Sequence, residues 1–434
     1  MTKLADRTAT VTAIRPRGSN ERRAVGVTVV SGADAGLVVG PTTGPRIVGR
    51  AEGADVRLGD PGVSQFHLEI DATDDGVRVR DLGSHNGTWA GSIAVERAVL
   101  PSGAQLRVGD TVLELIAGDA VSVERSKASS FGGLVGASAR MRELYSELER
   151  LAGARLTILL EGDTGTGKAL AARAIHDRAH PGAPFVVVPC SALLPEMGTL
   201  LLFGKSGEVA QPSVFEAARG GTVFFDEIAD LAPALQVKLL GALARATEIR
   251  VVTASSRPLR PLVNRGAFRE ELYFRIAEAR VRLPSLRERP DDVKPLVQHF
   301  LETMPWESEG ARAIAADALE AIAARELRGN VRELKNIVQR AATLAAGPTI
   351  TLEDLAFERT LERGSEEPAI ASAPLEPFKQ AKRTVVDEFE RAYLARLLAR
   401  AGKNVSRAAA LAGIERQSLR DLLKRHGLRG ESDD

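Results

Sequence analysis

Two short motifs constrain the fold of this chain more than any other feature of its sequence. The first, GDTGTGKA at 162–169, follows the apolar run LTILL and opens the helix-like segment ALAARAIHDRA. The second, GGTVFFDEI at 220–228, ends another apolar run with adjacent carboxylates. A glycine-rich loop between a buried strand and a helix is typical of a P-loop, and a second strand ending in acidic residues completes a nucleotide site. The two motifs therefore predict an α/β domain that binds a nucleoside triphosphate.

The residue types in these motifs fit the chemistry of ATP and Mg²⁺. Glycines let backbone N–H groups converge on phosphate at a helix N-terminus, where the helix dipole favours anions. We expect Lys168 to reach the outer phosphates, Asp226 to hold Mg²⁺ directly or through water, and Glu227 to polarise the attacking water. The predicted nucleotide-binding residues of the loop are Gly162, Asp163, Thr164, Gly165, Thr166, Gly167, Lys168 and Ala169.

Composition limits the class of protein. At 434 residues the chain has the length of about three globular domains. Its formal net charge of +1 means that any nucleic-acid contact must come from a local basic patch. The single cysteine, Cys190, excludes an internal disulfide and is expected to be an inert core thiol. No signal sequence or apolar run of membrane-spanning length is present, so we expect a cytoplasmic protein without membrane contact.

Changes in sequence pattern divide the chain into modules. Short alternating runs separated by Gly, Asp and Ser turns are typical of an antiparallel sandwich, and strands alternating with amphipathic helices are typical of a covered parallel sheet. Helical segments follow, then a stretch rich in Pro, Ala, Ser and Glu, then a final helical unit. We expect an all-β sandwich at 20–120, an α/β core at 131–286, a helical lid at 287–357, a linker at 358–377 and an all-α unit at 378–430.

The N-terminal module contains GR, VSQFH and DLGSHNGT in that order between 49 and 88, and this set resembles a forkhead-associated (FHA) domain. The resemblance implies binding of a phosphothreonine-containing protein, such as a Ser/Thr kinase or a kinase substrate. A phosphate dianion needs a fork of charged donors, which Arg50 supplies, and a neutral hydroxyl donor, which Ser64 supplies.

Three further residues of these motifs have expected roles. Asn86 is expected to hold the ligand backbone through its amide, with Ser84 beside it, and His67 to bond within the loop scaffold. A sandwich that keeps these residues only for loop packing stays open as an alternative, because Asn-Gly and Ser-x-x-His also serve turns.

The segment YLARLLARAGKNVSRAAALAGIERQSLRDLLKRHGL resembles the Fis-type helix-turn-helix of bacterial enhancer-binding proteins. Basic residues on and beside its second helix form the local patch that double-stranded DNA requires. In such a motif the N-terminal part of the second helix meets base edges. The predicted readout residues are Arg416, Gln417, Ser418 and Arg420, and the predicted phosphate contacts are Lys403, Arg407 and Lys424. A helical hairpin used only for dimerisation is the alternative.

The central module resembles the AAA+ ATPase domain of sigma-54-dependent activators. The resemblance is carried by FGGLVGASARMRELYSELERLA, the two nucleotide motifs, GAFREELYFRI, LPSLRERPDDVKPLVQHFL and GNVRELKNIV, in that order. It implies a homo-oligomer, from dimer to hexameric ring, with ATP between neighbouring subunits. Arg269 and Arg275 match arginines that act on the next subunit's ATP, and Arg332 matches a lid arginine that senses the nucleotide. The implied function is transcription regulation with sigma-54 RNA polymerase.

The chain also departs from that family pattern. KSGEVAQPS at 205–213 stands where the family carries the GAFTGA loop that docks on sigma-54, which argues against direct remodelling of that polymerase. Pro189 replaces an asparagine that holds the catalytic glutamate, Ser256 replaces a sensor asparagine, and Ala169 replaces a hydroxyl or glutamate. Two interpretations stay open: an ATP-driven activator, and a phosphothreonine-gated DNA-binding regulator with slow or no ATP hydrolysis that acts independently of sigma-54.

Overall fold

The computed structural model describes residues 21–122, 124–204, 212–246, 248–303, 313–345 and 347–355, and in the C-terminal part 390–391, 394, 397–398, 401, 404–414 and 416–426. The chain forms two compact units, Met1–Ala356 and Phe357–Asp434. Among the described residues, no helix has the length and apolar character needed to cross a membrane.

The first unit begins with a sandwich of two sheets. One sheet has the strand order β2-β1-β11-β10-β7-β8 and the other the order β4-β3-β5-β6-β9. The strands are β1 (Glu21–Ser31), β2 (Val38–Thr43), β3 (Arg46–Gly49), β4 (Val56–Arg57), β5 (Leu68–Thr73), β6 (Gly76–Asp81), β7 (Thr88–Ala90), β8 (Ile93–Ala94), β9 (Arg97–Leu100), β10 (Gln105–Val108) and β11 (Thr111–Ser122). In β6, Val77 and Val79 are buried while Arg78 and Arg80 point the other way, because successive side chains alternate between faces. The predicted all-β sandwich is confirmed.

The same unit continues into a five-stranded parallel sheet of order β15-β16-β17-β14-β18. Its elements, with a preceding hairpin, are β12 (Ser130–Phe131), β13 (Leu134–Val135), α1 (Ala139–Gly153), β14 (Ile158–Glu161), α2 (Lys168–Ala179), β15 (Phe185–Pro189), α3 (Pro195–Phe203), α4 (Val214–Ala217), β16 (Thr222–Asp226), α5 (Pro233–Leu243), β17 (Arg250–Ser255), α6 (Leu259–Asn264), α7 (Glu270–Ile276) and β18 (Ala279–Arg282). Strand β16 is apolar on both faces because helices cover both: Phe224 packs in one layer, Val223 and Phe225 in the other. The predicted α/β core is confirmed.

Helices close the first unit as a lid. Its elements are α8 (Val293–Thr303), β19 (Ala313–Ile314), α9 (Ala316–Ala323), α10 (Asn330–Leu344) and β20 (Thr349–Ile350). Val297, Leu334 and Val338 are buried together in a core separate from that of the sheet. The lid is therefore a second packed body beside the sheet.

Cys190 and His176 are both buried in the α/β core. Cys190 is buried, and burial raises the pKa of its thiol to about 12, as expected for an inert core thiol. His176, on α2, is 1% exposed. Its Nδ1 lies 2.9 Å from Thr222 Oγ1 and its Nε2 lies 3.2 Å from the Ala183 carbonyl oxygen, so both ring nitrogens have partners. A ring whose two nitrogens are both satisfied can be buried at little cost.

In the second unit, α11 (Val405–Ala412) and α12 (Arg416–Arg425) are joined by a turn. Gly413 in that turn has a φ of 66°, a conformation that favours glycine. Leu419 and Leu423, one helical turn apart, are buried with Val405, Ala408 and Ala409 of α11. The described residues of this unit thus include the two helices predicted to begin near Val405 and Arg416, while the predicted linker 358–377 lies outside the described residues.

Candidate functional sites

The P-loop lies at the carboxyl end of β14, where parallel strands bring other loops to the same edge of the sheet. Gly165 (φ 80°) and Gly167 (φ 109°) adopt conformations that other residues resist, and α2 begins at Lys168. A cavity of about 830 Å³ opens over the loop. It is lined by P-loop residues 164–170, by Asp226, Glu227 and Ser256, and by side chains of the lid including Leu296, Phe300 and Arg332. Polar groups for phosphate and apolar groups for a base thus share one cavity.

Inside this cavity Lys168 already has partners. The side chain is buried, and its Nζ donates to the carbonyl oxygens of Gly162 (2.8 Å) and Asp163 (3.3 Å). The same Nζ lies 3.4 Å from Glu227 Oε1. A triphosphate would offer this ammonium group stronger acceptors than backbone carbonyls do.

Glu227 is held from the opposite side by Ser256. The backbone N–H and the hydroxyl of Ser256 both donate to Glu227 Oε2, at 2.8 and 2.7 Å. Burial opposes ionisation of this carboxyl, but the two hydrogen bonds and the Lys168 charge outweigh it and lower the pKa of Glu227. Burial and the adjacent Glu227 charge instead raise the pKa of Asp226. The two neighbouring carboxyls therefore differ in their affinity for a proton.

The residues present fit ATP, and Asp226 is the side chain that they would offer to Mg²⁺. Asp226 lines the cavity at the end of β16 and can hold the ion directly or through water. Ala169 exposes a methyl group where a hydroxyl could have been a second ligand. The remaining ligands of a magnesium ion would be phosphate oxygens and water, as is usual for this ion.

Residues of the lid that were not predicted from the sequence form hydrogen bonds to the P-loop. The Val331 N–H donates to the Gly165 carbonyl (3.0 Å), and the Asn330 side-chain amide donates to the Thr164 carbonyl (3.0 Å). Arg289, also almost fully buried, donates to the Thr166 carbonyl (3.3 Å). Asn330 has a φ of 55°, unusual for a residue other than glycine. Its place in GNVREL beside the predicted Arg332 was the available signal.

Arg269 and Arg275 lie away from the cavity of their own chain. Arg269 immediately precedes α7 and Arg275 lies within it, and their side chains are 46% and 47% exposed. Neither is among the described residues that line the cavity. Arg269 faces Glu271, and Arg275 faces Glu278, at 3.4–3.5 Å. Such exposed pairs are weak, and Arg275 Nη2 also donates to the Leu243 carbonyl (3.4 Å).

The predicted phosphopeptide residues occupy neighbouring loops at one end of the sandwich. Arg50 is exposed, and its N–H bonds to the Ser64 carbonyl (3.0 Å). The Ser64 hydroxyl oxygen accepts from the His85 N–H (2.9 Å), which leaves its own proton free to donate. The Asn86 amide donates to the Gly62 carbonyl (2.8 Å). Three of the predicted groups are thus brought together by hydrogen bonds between the loops, one between main-chain groups and two that involve the Ser64 and Asn86 side chains.

Ser84 and His67 lie beneath these loops. The Ser84 hydroxyl donates to Asp81 (2.6 Å), so this side chain is committed to the scaffold. His67 is fully buried: its Nδ1 accepts from the Ser64 N–H (3.1 Å), which assigns the ring proton to Nε2, 3.2 Å from the Gly87 carbonyl. The structural role expected for His67 agrees with this geometry.

The same loops pack directly against the α/β core. Phe66 is 1% exposed, and its ring lies 5.0 Å from that of Tyr273 and 5.9 Å from that of Phe274 on α7. Asn264, at the end of α6, accepts from the Phe66 N–H (3.1 Å) and donates to the carbonyls of Phe66 (2.6 Å) and Leu82 (3.2 Å). Phe66 therefore belongs to the hydrophobic core of the α/β layer, although it lies in a loop of the sandwich.

The second unit presents most of the predicted DNA-binding residues on its surface. Arg416, Gln417 and Ser418 form the exposed first turn of α12, and Arg420 and Lys424 are exposed further along it. Arg407 is exposed on α11, whose first turn is capped by the Asn404 side chain (2.9 Å to the Arg407 N–H). Lys403 lies outside the described residues.

Comparison with known families agrees with these features. Residues 134–282 match the sigma-54 interaction domain and residues 287–372 an AAA+ ATPase lid domain. Over 318 residues the chain is 33% identical to the transcriptional regulatory protein ZraR of Escherichia coli strain K12, covering 69% of each protein. The chain belongs to the family of sigma-54-dependent transcriptional regulators. The AAA+ ATPase domains of this family bind ATP.

Other similarities cover the chain in part. The Nif-specific regulatory protein of Rhodobacter capsulatus is 39% identical over 257 residues, which are 54% of this chain and 44% of that regulator. The chain thus spans less than half the length of that relative. The crystal structure of NtrX from Brucella abortus in complex with ADP is 31% identical with a TM-score of 0.49, covering 68% of this chain and 70% of that one.

The sandwich has its own similarities. Residues 28–119 match a family described as the cytoplasmic domain of the inner membrane component of T3SS. A structure solved for phosphothreonine-dependent FHA domain interactions is 30% identical with a TM-score of 0.20, covering 21% of this chain and 95% of that one. The two sheets and their loops give this region an FHA-like fold.

Proposed function

We propose that this protein is a DNA-binding transcriptional regulator in which phosphothreonine recognition by the sandwich controls an ATP-binding AAA+ ring. One observation carries the proposal: the loops that present Arg50, Ser64 and Asn86 are packed onto α6 and α7. Arg269 and Arg275, which would act on the ATP of a neighbouring subunit, lie on and beside α7. A phosphopeptide at the loops would therefore act on the segment that completes the neighbour's nucleotide site.

Electrostatics supports the same connection. Burial and the Glu271 charge raise the pKa of Glu270, whereas the Arg50 charge lowers it. The phosphate-binding arginine thus acts on the residue next to Arg269. A bound phosphate dianion would offset the effect of the Arg50 charge on Glu270, and so would raise the pKa of this residue at the start of α7.

In this proposal each module has a separate task. In the sandwich, Arg50 and Ser64 hold the phosphate and Asn86 holds the peptide backbone. In the nucleotide site, Lys168 and the amides of the P-loop hold the ATP phosphates, and Asp226 holds Mg²⁺. Glu227 orients the attacking water, and Arg332 responds to the nucleotide. The exposed basic face of α12 enters the major groove, where two copies are required to read two half-sites. The partners are double-stranded DNA, a phosphothreonine-containing protein and further copies of this chain.

Binding of phosphothreonine peptides to the full-length protein tests the gate. Arg50→Ala should abolish binding to a phosphothreonine peptide library, measured by fluorescence polarisation, because the charged fork is lost. Arg78→Ala, which removes a partly exposed arginine of β6 that pairs with Asp71 on β5, is the matched control. Undiminished binding by Arg50→Ala would contradict the proposal that the sandwich recognises phosphothreonine. ATP turnover of the wild type with and without peptide then shows whether the signal reaches the AAA+ core.

A second candidate is a regulator that binds ATP but hydrolyses it slowly or not at all, acting independently of sigma-54. It is favoured by Pro189, which lies in register with Asp226 and has no side-chain donor for Glu227. All but the last two residues of the 205–213 segment lie outside the described residues. Turnover abolished by both Glu227→Gln and Lys168→Ala would establish a motor. Tight ATP binding lost only in Lys168→Ala, with no turnover above Glu227→Gln, would establish a switch.

A further inference from the structure

Two arginines of the sandwich lie directly opposite each other on its outer face. Arg80 on β6 and Arg97 on β9 are in register in an antiparallel pair, so their side chains leave the same face of the sheet. Neither side chain forms a hydrogen bond or an ion pair within the described part of the chain. Like charges directly opposite each other in a sheet are destabilising. A bound anion would therefore relieve an unfavourable interaction that the fold maintains.

The cross-strand neighbour that could neutralise Arg80 has another partner. Glu69 on β5 is in register with Arg80, but its Oε2 lies 3.5 Å from Nη1 of Arg260 in the α/β core. On the same face of the same two strands, Asp71 is in register with Arg78 and pairs with it at 3.7 Å. The strands thus allow such an ion pair, and the docked core removes it at Arg80 alone of these two positions.

A carboxyl group of the α/β core also acts on Arg80 through space. Burial raises the pKa of Glu161, at the end of β14, and the Arg260 charge opposes that rise more than the Arg80 charge does. A buried carboxyl with a raised pKa holds its proton more readily than an exposed one. Glu161 is therefore a weaker counter-charge for Arg80 than an exposed glutamate would be.

The two arginines line an open cavity of about 740 Å³ beside the phosphopeptide loops. Ser84 and Gly87, from the loop that follows β6, line the same cavity. Between them in sequence, His85 and Asn86 belong to the predicted phosphothreonine site, where the His85 N–H donates to the Ser64 hydroxyl oxygen. A peptide held at that site would therefore reach the cavity by crossing a single loop.

Two acidic residues also line this cavity, and neither forms an ion pair with the arginines in the described part of the chain. Asp81 accepts hydrogen bonds from the Ser84 N–H (2.7 Å) and from the hydroxyls of Ser84 and Thr88 (2.6 Å each), so it is committed to the loop. Glu96 is exposed to solvent. The N–H donors of both guanidinium groups thus remain available to a ligand.

We propose that Arg80 and Arg97 form a second anion-binding site, which takes a second phosphate group on the phosphothreonine-containing partner. This inference rests on the proposed function and deepens it, because it makes a doubly phosphorylated segment the preferred ligand. Guanidinium groups bind phosphate oxygens through paired N–H donors. A phosphate carries a charge of about −1.5 to −2 and three acceptor oxygens, which matches two arginines better than the single charge of a carboxylate does.

Fluorescence polarisation with the full-length protein and paired peptides tests this site. Each pair consists of a phosphothreonine peptide selected from the library and the same peptide with a second phosphothreonine. The second phosphothreonine is placed at successive spacings on either side of the first, because an extended chain advances about 3.3 Å per residue. At the spacing that reaches the cavity, the second phosphate should raise the affinity of the wild type about tenfold through charge-assisted hydrogen bonds. In Arg80→Gln and in Arg97→Gln that gain should fall below about threefold, because half of the charged donors are lost.

Arg78→Gln is the matched control, because it removes an arginine from the same face of β6 whose partner is Asp71, and it should keep the full gain. A gain that survives in both Arg80→Gln and Arg97→Gln, or no gain at any spacing, would overturn the second site. Peptides with glutamate in place of the second phosphothreonine identify the anion, and an equal gain from glutamate would overturn the assignment to phosphate. If the proposed function itself fails, no peptide depends on Arg50 for binding. An error in this inference alone leaves Arg50-dependent binding of the singly phosphorylated peptide in place.

Discussion

The two candidate phosphate sites of the first unit are organised in opposite ways. In the sandwich loops Arg50 is exposed, and the Ser64 hydroxyl accepts one hydrogen bond and keeps its proton to donate to a ligand. In the P-loop cavity the corresponding cation, Lys168, is buried and paired with two carbonyls and Glu227. A phosphopeptide at these loops would therefore meet a preformed surface, whereas a nucleotide in the cavity would have to displace internal partners. Only in the second arrangement would ligand binding separate a carboxylate, that of Glu227, from its cation.

Lys168→Ala should give the largest effect and tests the nucleotide half of this comparison. Removal of the ammonium group deletes the charged donor to phosphate, so ATP affinity should fall about a hundredfold, while phosphothreonine peptide affinity stays unchanged. Calorimetry with ATP measures the first and fluorescence polarisation the second. Lys294→Ala, at an exposed position of α8 away from the cavity lining, is the control. ATP affinity within threefold of the wild type would show that Lys168 serves the internal network alone.

The motifs of the P-loop cavity could be predicted from the sequence, but the tertiary contacts around them could not. Glycines, a lysine and two carboxylates at strand ends are local patterns, so the P-loop and the end of β16 were predictable from the chain alone. The bond from Ser256 to Glu227 depends on which strands become neighbours, and Asn330 reaches Thr164 across 166 positions of sequence. A single sequence does not specify such tertiary pairings, and Ser256 could be identified only as a departure from a family pattern.

The contact between sandwich and α/β core was also beyond sequence reasoning. The sequence VSQFH was interpreted as one of the motifs of an FHA-like domain, and no role was predicted for Phe66 within it. Its burial against Tyr273 depends on how two modules dock, which neither alternating strands nor helix periodicity encodes.

Asn264→Ala should have the intermediate effect and tests how far the phosphopeptide loops depend on the AAA+ core. Its side chain makes three hydrogen bonds to the backbone of Phe66 and Leu82, and truncation leaves those partly buried groups unpaired. The free energy of unfolding should fall by about 2 kcal/mol, measured by urea denaturation of the full-length protein. If the loops are supported by this contact, phosphothreonine peptide affinity should fall with it.

Asn264→Asp is the matched variant for that experiment. It keeps an acceptor for the Phe66 N–H but directs a carboxylate at the two carbonyls that the amide served. It should therefore destabilise the protein at least as much as alanine does. Stability and peptide affinity within error of the wild type in both variants would mean that the loops stand independently of the core, and the proposed route from phosphopeptide to α7 would lose its support.

Acidification should produce the smallest effect, and it separates the two regions by their buried histidines. Burial lowers the pKa of His67 beneath the phosphopeptide loops and that of His176 in the α/β core. Between each folded-state pKa and the unfolded value of about 6.5, the unfolded chain binds more protons, so stability falls as the pH drops through that window. Each ring contributes at most about 1.4 kcal/mol per pH unit. Protonated His67 would also turn an N–H toward the Ser64 N–H, so its window should coincide with loss of loop order.

Urea denaturation between pH 7.5 and 5.5 measures these contributions in the wild type, His67→Gln and His176→Gln. Glutamine can accept and donate one hydrogen bond each but does not titrate, so each variant should flatten part of the slope. A slope unchanged by His67→Gln would mean that the Ser64 contact does not depend on a neutral ring. If His67→Gln flattens the dependence of unfolding free energy on pH, and also makes amide exchange in the loops less sensitive to pH, the open phosphate site depends on a neutral imidazole. The P-loop, held by a lysine and a carboxylate, does not share that dependence.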